Sequence, residues 1–176
     1  MIGLPQVIVL LVALQRLGEL VLSRRNERRL LAAGGQEHGA RHYPLFVVLH
    51  ASWLLWLFFA VPNDAPVNWW LLGLFGLLQL GRIWVIASLG PYWTARVVTL
   101  ADRPLIRRGP YRFFRHPNYL IVIGEIAVLP LAFGAWQIAL GFSLANAALL
   151  AWRIRVEEAA LAPRREATWN DFQSMS

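Results

Sequence analysis

Apolar residues gather into four long stretches, and the polar residues are crowded into the short connections between them. A helix crosses a bilayer core with about 20 apolar residues. Stretches 3–22, 43–61 and 67–89 meet that length and predict three membrane-spanning helices. A fourth apolar region, 118–152, is interrupted near its middle at "LPLAFGAW" by Pro130 and Gly134. A Pro/Gly break of this kind predicts a helical hairpin, with short arms near 118–129 and 135–152. No stretch alternates with period two, so no strand is expected, and no internal repeat or low-complexity segment is visible.

The expectation is therefore an all-α integral membrane helical bundle of about five transmembrane helices, the last two forming a hairpin. Its single domain spans 1–176: three spans within 1–90, a polar loop 91–118, the hairpin 119–152 and a tail 153–176. Composition agrees. Hydrophobic residues make up 57%, charged residues 15%, and the mean hydropathy is +0.47. A soluble domain lies nearer half apolar and a quarter charged. The first span has no charged segment before it and no small-residue cleavage site after it, which predicts a retained span. Cysteine is absent, which excludes disulfides, thiolate metal sites and cysteine nucleophiles.

The net charge of +7 raises nucleic acid as a partner. The distribution of charge argues against it. All 17 basic residues are arginine, and 15 of them lie in three connections: Arg24, Arg25, Arg28, Arg29 and Arg41; Arg96, Arg103, Arg107, Arg108, Arg112 and Arg115; Arg153, Arg155, Arg164 and Arg165. The opposite connections, "PNDAP" and the hairpin turn, carry none. The positive-inside rule then places the N-terminus outside and the C-terminus in the cytoplasm. Loop 91–118 and the tail meet on that cytoplasmic face, against an anionic leaflet. A bacterial inner membrane is the expected location.

Several polar residues need a reason. Arg16 and Glu19 are three apart and can pair near the cytoplasmic end of the first span, snorkelling to the headgroups. Gln79 and Arg82 repeat that spacing. Glu125 has no basic neighbour on its own helix, and predicts either an interhelical hydrogen bond or a ligand contact. In "SRRNERRLLAAGGQEHGARHY", Ser23 reads as a cap for a short basic amphipathic helix ending near Ala33. That helix would lie on anionic lipid, while Glu37, His38 and His42 offer an alternative role, lining an entrance for a substrate headgroup. The four histidines, 38, 42, 50 and 116, form no helical HxxxH pair, so no metal site is expected. There is no GxSxG, no GxGxxG and no P-loop.

Two polar clusters bracket the hairpin: "GPYRFFRHPNY" before it and "RIRVEEAAL" after it. Hairpin geometry brings them to one end, so that Arg112, Arg115, His116 and Tyr119 approach Arg153, Glu157 and Glu158. Arginine offers a fork for a carboxylate. The glutamates suit an ammonium or ribose hydroxyls, the Tyr and His rings a heterocycle, and Pro117 stiffens the approach. A ligand with ammonium, carboxylate, ribose, adenine and sulfonium groups, as in S-adenosylmethionine, would satisfy all of these. A loop that binds lipid phosphate and pairs with the tail glutamates accounts for the same residues.

A resemblance separates the two. The blocks resemble those of the isoprenylcysteine carboxyl methyltransferase family. Its G-P-Y-x-x-x-R-H-P-x-Y-x-G pattern is matched at Gly109, Pro110, Tyr111, Arg115, His116, Pro117 and Tyr119. Its R-x-x-x-E-E-x-x-L pattern is matched at Arg153, Glu157, Glu158 and Leu161. Ile121 departs from it, standing where the family has glycine. Beyond Leu161 the family's F-G-x-x-Y-x-x-Y becomes Arg165, Glu166, Trp169 and Phe172. The first hundred residues look more like a small bacterial branch, often linked with polyketide products such as alkylpyrones.

The resemblance implies methyl transfer from S-adenosylmethionine to an oxygen, carboxylate or phenol/enol hydroxyl, of a lipophilic acceptor reaching the site from the membrane. It implies that Tyr111, Arg115, His116, Pro117 and Tyr119 line the cofactor, with Glu157 or Glu158 on its ammonium or ribose. Arg153 or Arg112 would take its carboxylate, and His116 or Glu157 would serve as base for a hydroxyl acceptor. Lipophilic acceptor and membrane lipid are the expected partners, with no nucleic acid and the oligomeric state open. The alternatives are an acceptor of another kind, prenylcysteine carboxylate or a phospholipid amine, or a non-catalytic membrane scaffold.

Overall fold

A computed structural model of the protein describes residues 2–38, 43–100 and 108–174, with side chains described through residue 160. Among these, five helices and one small sheet follow in chain order: α1 (Leu4–Ala32), β1 (Gln36–His38), α2 (Tyr43–Ala60), α3 (Trp69–Leu89), β2 (Val97–Thr99), α4 (Pro117–Ala132) and α5 (Trp136–Ser174). Short 3-10 turns cover Gly90–Tyr92 and Gly109–Arg112. Four helices are long and apolar enough to cross a membrane: α1, α2, α3 with its following turn, and α5 over Trp136–Ala160. The 16 residues of α4 reach only ~24 Å, short of a full bilayer core.

The hairpin forms where the sequence places it. Gly134, with φ of +72°, supplies the left-handed turn between α4 and α5. Pro130 is accommodated inside the last turn, so α4 continues to Ala132 instead of stopping at 129. The second arm does not end at 152. α5 runs on unbroken, and this extension carries Arg153 and Glu157 down from the bundle in the same helical register as buried Asn146 and Leu150. The start of α3 is tied to the end of α4 by the Asn68 amide N–H donating to Ala132 O at 2.8 Å. Asn68 also caps α3, its Oδ1 accepting from the amides of Trp70 and Leu71.

Two expectations for the first polar connection are corrected. No separate amphipathic helix begins at Ser23: α1 runs straight through to Ala32, because nothing in "SRRNERRLLA" breaks a helix before Gly34. Ser23 is no cap. It is buried, and its Oγ accepts from the Ala95 amide at 2.7 Å. Asn26, one turn on, donates to Gly90 O at 3.1 Å and Trp93 O at 2.8 Å. The second correction is a short antiparallel sheet, Gln36↔Thr99 to His38↔Val97. Strands of three residues are too short to show any period. The sheet is fastened by side chains: Glu37 accepts from Arg96 at 2.9 Å, and His38 Nε2 lies 3.0 Å from Thr99 Oγ1. Arg41 and His42 lie outside the described residues.

The core is assembled from Val9 and Val12 of α1, Trp53 and Leu57 of α2, Phe75 of α3, and Val122, Ile126 and Leu129 of α4. The outer surface is as apolar as the core. Leu11, Leu14 and Leu17 of α1 and Leu77, Leu80 and Ile83 of α3 all stand exposed, an arrangement that lipid stabilises and water does not.

Charge is nevertheless sealed among α1, α3 and α4. Arg16 and Glu19 pair at 2.9 Å, but they do not snorkel. Arg16 reaches Glu125 at 2.8 Å, and Arg82 grips Glu19 through two contacts of 2.6 Å and Glu125 at 3.3 Å. Gln79 donates to Glu125 at 2.9 Å and accepts from Gln15 at 2.7 Å. Gln79 and Arg82 therefore act side by side rather than on each other. Glu125 takes the interhelical role. Two cations and two anions close on one another, the condition under which buried charge is tolerated.

Candidate active site

The site is built at the arginine-rich end of the bundle, from the turn before α4 and the extension of α5. Gly109 has φ of +58°, and a Cβ there would stand 2.1 Å from Ser88 Oγ. Only glycine fits both the backbone and the space. Arg108 donates from Nε to Ser88 O at 2.7 Å, so the Gly-Pro-Tyr turn is fastened to the end of α3. Pro117 then opens α4, where its missing N–H costs nothing.

Tyr119, in the first turn of α4, is the centre. Its buried hydroxyl accepts from Arg153 Nε at 2.8 Å and donates to Glu157 Oε2 in a short hydrogen bond. Arg153 itself is only 9% exposed. Its second terminal nitrogen donates to Ala95 O at 2.5 Å, and its guanidinium lies 5.2 Å from the Phe46 ring and 5.5 Å from that of Tyr119. Arg153 and Glu157, four apart on α5, thus meet through Tyr119 rather than pairing directly.

His116 stacks on Tyr119, ring centroids 5.2 Å apart and planes within 12°. Its Nε2 is 2.9 Å from Glu158 Oε1 and its Nδ1 is 3.6 Å from Glu157 Oε1. The Glu157 carboxylate, aided by Glu158, holds the imidazole above its usual range despite partial burial. Tyr111 is raised as well, first by burial and then by the Glu157 carboxylate.

Of the residues expected here, the structure gathers His116, Tyr119, Arg153, Glu157 and Glu158, with Tyr111 close enough to feel Glu157. Pro117 is buried at the helix start. Arg112 and Arg115 stand exposed, Arg112 beside the ring of Phe113 at 6.0 Å. Phe46 and the backbone carbonyl of Ala95 are members that the sequence did not suggest. A carbonyl leaves no mark in a sequence, and Phe46 is one apolar residue among many. Arg103 and Arg107 fall outside the described residues, and the side chains of Leu161, Arg164, Arg165, Glu166, Trp169 and Phe172 are likewise not described.

The donor set fits S-adenosylmethionine. Glu157 and Glu158 keep 22% and 32% of their side chains exposed, so an ammonium or ribose hydroxyls can reach both carboxylates beside the contacts they already make. The partly exposed His116 ring, backed by Tyr119, is the flat surface available to a purine.

Ile121, where the resemblance asks for glycine, packs at the interface of α4 with α3. It faces Gly81 of α3, and Gly124, one turn on, faces Leu78.

The model of the isoprenylcysteine carboxyl methyltransferase family matches residues 71–163, from α3 through both polar blocks. "Uncharacterized protein YpbQ" of Bacillus subtilis (strain 168) is 36% identical over 159 residues, 88% of this chain and 94% of that one. An "Uncharacterized protein" of Haemophilus influenzae (strain ATCC 51907 / DSM 11121 / KW20 / Rd) is 29% identical over 157 residues, 83% and 88% of the two chains. No solved structure matches with significance. The chain belongs to the isoprenylcysteine carboxyl methyltransferase family of integral-membrane methyltransferases.

Proposed function

We propose that the protein transfers a methyl group from S-adenosylmethionine to an oxygen, carboxylate or phenol/enol hydroxyl, of a lipophilic acceptor at the cytoplasmic face of a bacterial inner membrane. The observation that carries this reading is the cluster of His116, Tyr119, Arg153, Glu157 and Glu158 at the mouth of an apolar hairpin. A water-soluble donor and a membrane-dissolved acceptor meet only where such a cluster borders hydrocarbon. An alkylpyrone-type polyketide is the acceptor favoured by the resemblance to the small bacterial branch.

S-adenosylmethionine, when bound, supplies a methyl carbon made electrophilic by its sulfonium. The protein's work is alignment and exclusion of water. Glu157 and Glu158 take the ammonium or the ribose hydroxyls. His116, held by stacking on Tyr119, offers its other face to the adenine, with Tyr111, Arg115 and Pro117 completing the lining. Arg112 takes the carboxylate, since two donors of Arg153 are already committed to Tyr119 and Ala95. Arg153 fixes Tyr119, and through it Glu157.

The test is incubation of purified protein in host lipid extract with methyl-labelled S-adenosylmethionine. A labelled lipid is expected, and it should vanish in Glu157→Ala while that variant stays folded in detergent. Full transfer by the variant overturns the assignment.

A further inference from the structure

His50 of α2 is a titratable group in the interior that neither of the two polar blocks uses. Its Nδ1 lies 2.8 Å from Phe46 O. A carbonyl only accepts, so Nδ1 carries the proton, and the neutral ring presents its lone pair at Nε2. Among the described residues Nε2 has no hydrogen-bond partner. On the same face of α2, Phe46 and Trp53 are buried, whereas His50 is only partly so.

Its position follows from the packing of α2 on α5. Phe46 clusters with Tyr119 and Leu150 at the site, while Trp56, Ala60 and Val61 meet Phe133 to Ile138 at the far end. The two helices are therefore antiparallel. One turn beyond Phe46 on α2 is His50, and one turn beyond Leu150 on α5 is Asn146. Asn146 is 1% exposed, and its Oδ1 has no partner. Trp53 Nε1 and Ser143 Oγ, deeper on the same two helices, are buried and unpartnered as well. Unpaired polar atoms are costly in an apolar interior, and several along one interface point to a polar group that belongs there.

We infer that His50 is the base of the transfer, taking the proton of an acceptor hydroxyl on Nε2 while Asn146 orients the same headgroup, so that the acceptor is a lipophilic phenol or enol and not a carboxylic acid. This rests on the methyl-transfer reading above. The acceptor O–H proton passes to Nε2, and an oxygen lone pair forms the new O–C bond to the methyl carbon. The C–S bond breaks with its electron pair staying on sulfur, leaving a neutral thioether. The imidazolium afterwards returns its proton to water. A carboxylate acceptor would need no such base.

Three measurements test it. First, lipid labelled by the wild-type protein is treated with mild alkali: a methyl ether keeps its label, whereas a methyl ester releases labelled methanol. Second, His50→Gln is expected to lower kcat by ~100-fold or more, the scale of general-base catalysis, with calorimetric affinity for S-adenosylmethionine unchanged. His50→Ala should regain transfer when imidazole is added. Third, a long-chain alkyl nitrophenol is bound to cofactor-free protein and its ionisation followed across pH by phenolate absorbance: the midpoint should move to higher pH from wild type to His50→Gln. Release of methanol, near wild-type kcat in His50→Gln, or the same nitrophenol midpoint in both proteins overturns the inference. If neither His50 variant binds S-adenosylmethionine, the nitrophenol titration, which needs no cofactor, decides for His50. Failure of wild type to label any lipid sinks the methyl-transfer reading itself.

Discussion

Ile121 of α4 lies against Gly81 of α3, where a Cβ added to the glycine would stand 3.4 Å from Ile121 Cδ1. One more carbon fits that gap, and a larger side chain does not. Gly81→Leu should overpack the α3–α4 interface and lower stability by about 1–3 kcal/mol. Gly81→Ala should be tolerated. Adding Ile121→Gly to Gly81→Leu should restore much of the loss, and thermal unfolding of the four proteins in one detergent measures it. Additive losses would mean the two residues do not share the space.

Glu125 holds two guanidiniums, Arg16 at 2.8 Å and Arg82 at 3.3 Å, at 2% exposure. Glu125→Ala would leave two buried cations facing Glu19 alone. The expected cost is about 3–5 kcal/mol, the range for breaking a buried ion pair by removing one partner. Replacing Glu125 and Arg82 together by apolar residues should cost less than Glu125→Ala, because one cation leaves with the anion. Denaturation midpoints in detergent decide. A Glu125→Ala protein as stable as wild type would show that these charges are not sealed from water or headgroups.

Gly109→Ala meets two separate obstacles. The positive φ costs an alanine about 1–2 kcal/mol, and Ser88 Oγ occupies the place of the methyl group at 2.1 Å. Ser88→Gly should relieve the second obstacle and leave the first. The expected signature is a large loss of cofactor binding in Gly109→Ala, partly recovered in the double variant. Calorimetry with S-adenosylmethionine measures it, and full recovery would show that the backbone is not strained.

Tyr119 joins Arg153 to Glu157 through one oxygen. Tyr119→Phe keeps the stacking on His116 but removes hydrogen bonds to two charged groups, worth about 1.5–3 kcal/mol each. Loss of Tyr119 as a hinge should weaken S-adenosylmethionine affinity by roughly tenfold or more, since each 1.4 kcal/mol is a factor of ten. Unchanged affinity would mean that Glu157 keeps its place without the tyrosine.

The sequence was most informative where hydropathy and family spacing coincide. Apolar length located the spans, Gly134 marked the hairpin, and the helical repeat put Arg153 with Glu157. It was silent where contacts are made across the chain by backbone or by single residues. Nothing local announces that Ser23 binds the Ala95 amide, or that the Ala95 carbonyl holds Arg153. The polar run after Ser23 looked like a separate surface helix because charge dominates it. Its buried stripe is only Ser23, Asn26 and Leu30, two of them polar, and hydropathy does not register such a stripe. The partners of Glu125 were hidden for a related reason: they come from two other helices, α1 and α3, and pairing rules within one helix do not reach them.

His116 gives the site a pH dependence. Glu157 and Glu158 raise its folded-state value above that of the unfolded chain, so the protonated form is favoured by folding. A raised value means the contribution is complete below the unfolded histidine range, about 6.5, and is lost as pH climbs through the higher folded value. The cofactor-free protein should therefore lose thermal stability as pH rises from about 6.5, the unfolded histidine value, through the higher folded one. His116→Gln should flatten that slope without abolishing folding. In the proposed binding mode the ammonium of S-adenosylmethionine meets the same carboxylates, so saturating cofactor should weaken the dependence too. Thermal unfolding across that pH window, with and without cofactor, checks both. A slope of the same size in wild type and His116→Gln would assign it to another group and leave the imidazole uncharged between its two glutamates.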